Sequence, residues 1–121
     1  MDKRLLGRFG EAKAAEYLRK KGYSILGMNY STRFGEVDII SENRHFLLFV
    51  EVKLRKNADF AEAREFVTRQ KQRRVVLAAQ QWLQQNPTKK QPRFDVIEVY
   101  APNGAAESVT INHIENAFEA F

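Results

Sequence analysis

Residues 35–53 read Gly35-Glu36-Val37-Asp38-Ile39-Ile40-Ser41-Glu42-Asn43-Arg44-His45-Phe46-Leu47-Leu48-Phe49-Val50-Glu51-Val52-Lys53. Phe46 to Lys53 is the most convincing strand in the chain. Its Phe, Leu, Leu, Phe, Val and Val show no polar alternation, so both faces must be covered, as in the middle of a sheet flanked by helices. Glu36 to Ile40 predicts a shorter strand, and Ser41 to Arg44 a turn that pairs the two antiparallel. Side chains alternate along a strand, so Glu36 and Asp38 share one face, as do Glu51 and Lys53 on the neighbour. Asp38 and Glu51 are equidistant from the point between Arg44 and His45. They should therefore stand opposite each other, a few ångströms apart.

Working outward, Leu5 to Lys21 has good helix formers, no proline and a charged face of Lys13, Glu16, Arg19 and Lys20. Gly22 stops that helix. Tyr23 to Tyr30 reads as a strand weakened by Gly27. Residues 54–67 are the least regular part, a loop with a helical turn over Phe60 to Arg64. Thr68 to Gln85 predicts a second long helix, with Val75, Val76, Ala79, Trp82 and Leu83 at core spacing and Pro87 beyond its end. Phe94 to Tyr100 and Ser108 to Asn112 are β-rich, with a turn at Pro102-Asn103-Gly104 between them. His113 to Phe121 is expected to close the chain as a short helix. The order α-β-β-β-α-β-β-α implies one α/β domain over residues 1–121, a mixed sheet flanked by helices.

The 121 residues carry 20 Lys and Arg against 15 Asp and Glu, a net charge of +5. From Phe94 onward there are five acids and no Lys or Arg, which leaves +10 on residues 1–93. A basic bulk of this kind attracts polyanions. With 44% hydrophobic and 29% charged residues the chain has globular composition. No run approaches the roughly 18 apolar residues of a membrane span. Met1-Asp2-Lys3-Arg4 opens on charge and lacks the apolar stretch of a secretory signal, so a cytoplasmic location without membrane contact is expected. The absence of cysteine excludes disulfides, thiolate metal sites and a cysteine nucleophile.

Acids inside buried strands are costly unless something compensates their charge. Two facing carboxylates raise one another's pKa unless a cation lies between them. Carboxylate and carbonyl oxygens suit a hard divalent ion such as Mg²⁺. Lys53 would project beside such an ion, where an ammonium stabilises charge on a phosphoryl centre.

Gly35-Glu36-Val37-Asp38-Ile39-Ile40 with Phe49-Val50-Glu51-Val52-Lys53 resembles the PD-(D/E)XK nuclease signature, with Val37 where that signature often has proline. The likeness runs from Gly10-Glu11 through Gly22-Tyr23 and Asn29 to Arg93-Phe94-Asp95-Val96. On these residues the chain resembles the YraN-like family, uncharacterised proteins predicted to be endonucleases and distantly similar to archaeal Holliday-junction resolvases. The resemblance implies a restriction-endonuclease-like fold. It implies Asp38, Glu51 and the Val52 carbonyl as metal ligands, Lys53 as catalytic lysine, and Glu11 as a further catalytic acid. Glu11 shares a helix face with Ala14, Ala15 and Leu18, which turns it toward the sheet. The cofactor implied is Mg²⁺, with Mn²⁺ as a substitute, and the partner is nucleic acid, DNA before RNA. A homodimer would suit a symmetrical junction.

The expected chemistry is metal-assisted phosphodiester hydrolysis in branched or structured DNA. Arg55, Lys56, Arg64, Arg69, Gln70, Lys71, Arg73 and Arg74 would hold backbone phosphates. Plainer readings stand beside these. Asp38, Glu51 and Lys53 could form a structural ion-pair cluster, and Glu11 could pair with Arg8 or Arg4. Glu36 could support a metal ligand or pair with Arg33 or Arg55, and Arg69 to Arg74 could be a solvated helix face. Asp95 reads as a structural hydrogen-bonding acid, while His45 and His113 lack metal-ligand spacing. The functional alternative is a non-catalytic nucleic-acid-binding or scaffold protein that keeps the nuclease fold.

Overall fold

The structure, a computed structural model, describes residues 3–55, 67–101 and 108–120. Helix α1 (Lys3–Lys20) leads into strands β1 (Ser24–Ser31), β2 (Glu36–Glu42) and β3 (Phe46–Arg55), then helix α2 (Arg69–Gln85) and strands β4 (Gln91–Tyr100) and β5 (Thr110–Phe118). The five strands form one sheet in the order β1-β2-β3-β4-β5. All neighbours are antiparallel except β3 and β4, which run parallel. A parallel pair needs a long crossover connection, and α2 lies within it. This is the α/β architecture expected from the sequence.

The central strand explains the layers. Along β3, Leu47 and Phe49 pack in the core beneath α2 with Val75, Val76 and Ala79. Leu48 and Val50 pack in a second core beneath α1 with Ala14, Ala15 and Leu18. All four β3 side chains are fully buried, which is why the run shows no polar alternation. Trp82 borders the first core, edge-on to Phe49 at 6.0 Å.

Local chemistry sets the element ends. Gly22, at φ +94°, follows α1, with the Gly22 N–H donating to the Arg19 carbonyl and Tyr23 N–H to that of Leu18. This double closure needs a left-handed residue, which glycine supplies. Thr68 caps α2 by accepting from the Lys71 amide. Both edge strands are irregular. β1 carries a bulge between Ile25 and Gly27 and a left-handed Asn29, at φ +54°. β5 meets β4 through a register shift between Phe94 and Val96 and has a left-handed Asn116, at φ +51°.

The structure overturns the closing helix expected from the sequence. Residues 113–118 are not a helix but the second half of β5, paired as Ile97↔His113, Val96↔Ile114 and Phe94↔Phe118. Glu115 and Ala117 favour a helix, but β4 is buried from Phe94 to Val99 and pairing on this side satisfies its backbone. Strand β4 also begins earlier than expected, at Gln91. The helical turn over Phe60 to Arg64 and the turn at Pro102-Asn103-Gly104 lie outside the described residues. Among the described residues no helix is long and apolar enough to cross a membrane.

Candidate active site

The β2–β3 ladder runs Glu42↔Leu47, Ser41↔Leu48, Ile40↔Phe49 and Ile39↔Val50, so Asp38 and Glu51 follow as the next facing residues. There the backbone pairing ends. The Asp38 carboxylate takes over, with Oδ2 accepting from the Val52 amide at 2.8 Å. That bond fixes Asp38 against β3. In an extended residue the carbonyl lies on the same edge as the amide, so the Val52 carbonyl also faces the β2 side.

Glu51 is buried, with a side chain only 5% exposed. Its Oε1 lies 3.9 Å from Lys53 Nζ and 3.7 Å from Lys71 Nζ, and its Oε2 is buried without a hydrogen-bond partner among the described residues. Lys71 Nζ also binds Glu36 Oε1 at 3.2 Å. Lys71 can reach both strands because β2 begins against the helix. Gly35 packs on the backbone of Arg74, where any side chain would collide with the Arg74 carbonyl.

Burial pushes the Glu51 carboxyl up to about 8, and the charge of Asp38 adds to the rise against the pull of Lys71 and Lys53. Asp38 is raised too, first by burial, against the Val52 amide and Lys71. The charge of each acid thus bears on the other, and two neighbouring carboxylates favour a proton or a cation between them. Glu11 is raised by burial and by Asp38 and Glu36, although the Asn29 side chain hydrogen-bonds to it. It lines a neighbouring pocket of about 310 Å³ with Arg4, Arg8 and Asn29. Among the described residues no three Asp, Glu or His side chains close on one point. Side-chain ligation would therefore rest on two carboxylates, completed by the Val52 carbonyl and water. The orphaned Glu51 Oε2, buried beside a second acid, fits a small hard cation.

The remaining expected residues fall into three groups. Glu36 pairs with Lys71 rather than with Arg33 or Arg55. Arg55, expected at phosphates, is turned onto the buried Glu98, with Nε 3.3 Å from Oε2, and its side chain is only 16% exposed. Glu98 also accepts from Tyr100 and Asn112, so an acid inside β4 is neutralised within the fold. Lys71 belongs to the acidic cluster rather than to an open basic face. Arg69, Gln70, Arg73 and Arg74 are exposed on the first turns of α2. Lys56 and Arg64 lie outside the described residues.

Two features escaped the sequence reading. Asn29 as the partner of Glu11 had a faint signal, since asparagine tolerates the left-handed conformation it adopts. His113 had none. Its Nε2 lies 2.7 Å from Asp95 Oδ2 and its Nδ1 3.0 Å from the Tyr17 hydroxyl. Asp95 is fully buried and also receives two bonds from Arg93 and one from the Asn116 amide. Burial alone would push its carboxyl up, but the bonds from His113, Arg93 and Asn116 outweigh burial and hold it below its ordinary value. This network ties α1, β4 and β5 together beneath α1, and the structural reading of Asp95 agrees with it.

Residues 10–99, which contain every described acid and lysine of this cluster, match the family described as uncharacterised protein family UPF0102. A UPF0102 protein of Caldicellulosiruptor saccharolyticus is 44% identical, over 98% of this chain and 100% of the relative. One from Caldanaerobacter subterraneus subsp. tengcongensis is 41% identical, over 98% of each. One from Vibrio parahaemolyticus is 41% identical, over 95% of this chain and 93% of the relative. By the family match and by full-length relatives alike, the chain belongs to the uncharacterised protein family UPF0102, the YraN-like family of the sequence resemblance.

Proposed function

We propose that the protein is a divalent-metal-dependent endonuclease that hydrolyses phosphodiester bonds in DNA, with branched or otherwise structured DNA as its substrate. The observation that carries this reading is the Asp38–Glu51 pair. A buried acid and a half-buried one meet where the β2–β3 ladder ends, one oxygen has no hydrogen-bond partner among the described residues, and two ammonium groups stand alongside. A purely structural cluster of this kind gains little over apolar residues in the same place.

Asp38, Glu51 and the Val52 carbonyl would hold Mg²⁺ or Mn²⁺, which when bound lowers the pKa of water and neutralises charge on the scissile phosphate. The chain's own groups do the rest. The Val52 amide fixes the orientation of Asp38 through a bond of 2.8 Å. Burial keeps water from screening Glu51. Lys53, a third exposed and 3.9 Å from Glu51, reaches from the buried acid to the open side. There it stabilises negative charge that builds on the phosphorus oxygens. Arg69, Gln70, Arg73 and Arg74 would contact backbone phosphates next to the site, which positions DNA without reading its sequence. Pairing of two copies on a symmetrical junction, and a cytoplasmic setting, belong to the same reading.

The test is cleavage of labelled duplex, single-stranded, flap and four-way-junction DNA, with matched RNA, in Mg²⁺, Mn²⁺ or EDTA. Wild-type protein should cut branched DNA only with metal, and Asp38→Ala should abolish cutting. Equal cutting by the variant refutes the site. Tight binding without cutting by wild-type protein would favour a scaffold that keeps the nuclease fold.

A further inference from the structure

We infer that Lys71 makes metal binding and DNA binding depend on each other, a role that rests on the nuclease reading above. Lys71 lies in the first turn of α2, three residues after the Thr68 cap. A cation there opposes the helix dipole, and that turn contains no acid. Helix stability therefore does not explain the residue. Its side chain reaches instead to β2 and β3, 3.2 Å from Glu36 and 3.7 Å from Glu51. Glu51 Oε1 already faces Lys53 at 3.9 Å, so two ammonium groups crowd one oxygen while the other has no hydrogen-bond partner among the described residues.

Charge balance gives this arrangement a consequence. When ionised, the three carboxylates of Glu36, Asp38 and Glu51 exceed the ammonium groups of Lys53 and Lys71 by one negative charge. A divalent cation overshoots neutrality by one, and a single phosphodiester restores it. Lys71 is a quarter exposed and able to turn outward to a phosphate. In the free protein its ammonium occupies the acids and repels an incoming dication. On DNA, the phosphate draws Lys71 away from Glu51 and the repulsion falls. Each ligand then tightens the other by the same factor, as linkage requires.

Calorimetric titration with Mn²⁺ tests this on wild-type protein, Lys71→Gln, Lys71→Arg and Asp38→Asn. Lys71→Gln should bind Mn²⁺ about tenfold more tightly or better, the scale of removing one nearby charge at a partly exposed site. Lys71→Arg, which keeps the charge, should stay near wild type. Fluorescence anisotropy with a labelled four-way junction gives the second readout. Ca²⁺ should tighten the wild-type complex relative to EDTA, and that factor should fall toward one in Lys71→Gln. Circular dichroism checks folding, and Lys71→Met replaces Lys71→Gln if the latter unfolds. The inference is overturned if Lys71→Gln binds Mn²⁺ no more tightly while Asp38→Asn abolishes binding. If Asp38→Asn binds Mn²⁺ as wild type does, the carboxylate pair is not the metal site, and the nuclease reading falls together with the inference.

Discussion

Replacing Glu51 with glutamine keeps the shape of a buried side chain and removes its charge. In the metal-free protein the Glu51 carboxyl sits at about 8 against an ordinary 4.5, because of burial first and Asp38 second. The folded state thus holds this proton more tightly than the unfolded chain. Its contribution to stability is complete below the ordinary value and is lost as pH rises toward the folded value. One proton corresponds to about 1.4 kcal/mol per pH unit, so the wild-type protein should lose on the order of 3 kcal/mol between about pH 5.5 and 7.5. Asp38 is raised too, first by burial, so its contribution has the same sign. Lys71, raised from 10.5, and Asp95, lowered from 3.8, change nothing across that interval, since their contributions are lost only at its far alkaline and acid sides. The assay is urea denaturation in EDTA across this range, followed by the fluorescence of Trp82, the only tryptophan. Glu51→Gln should show a much shallower decline and exceed wild type in stability near pH 8. Adding Mg²⁺ at that pH should stabilise wild type and leave the variant unchanged. An equally steep decline in the variant refutes the assignment of the buried charge to Glu51.

Lys53→Met should lower cleavage by about 10²–10³-fold, the usual effect of removing one group that stabilises transition-state charge, and thermal unfolding should show little loss of stability. Gly35→Ala should cost about 1–3 kcal/mol or more in urea denaturation, because the new methyl overlaps the Arg74 carbonyl and forces β2 away from α2. Unchanged stability there would show that the two elements slide freely. Asp95→Ala should cost about 3–5 kcal/mol, since it leaves the half-buried Arg93 and His113 without their shared acid. Because its native carboxyl is depressed, wild-type protein should lose this stabilisation as pH falls below 3.8, and the variant should lack that acid-side step.

The central hairpin was legible because burial on both faces leaves a direct mark on composition. The register of Asp38 against Glu51 was legible because a short turn between two strands fixes it by counting. Lys71 and Glu98 were misjudged or missed for another reason. A basic residue among Arg69, Arg73 and Arg74 looks like its neighbours until the docking of α2 on β2 singles it out. Glu98 breaks an apolar run as Glu51 does, yet it turns to Arg55, Tyr100 and Asn112. Tyr100 is local, two residues along the strand, but only the parallel pairing Arg55↔Tyr100 and the antiparallel pairing Glu98↔Asn112 bring Arg55 and Asn112 beside it, and no local spacing encodes those. The end of β5 was misread because its conformation is imposed by pairing with β4, which no local spacing within residues 113–118 shows.

The two left-handed asparagines, Asn29 and Asn116, fall one on each outer strand of the sheet. A foreign strand seeking to extend the sheet from either border would meet a kinked template whose amides and carbonyls fall out of step, which discourages runaway fibre-like growth. With a sheet neighbour on one side only among the described residues, β1 and β5 carry this guard in their own backbone.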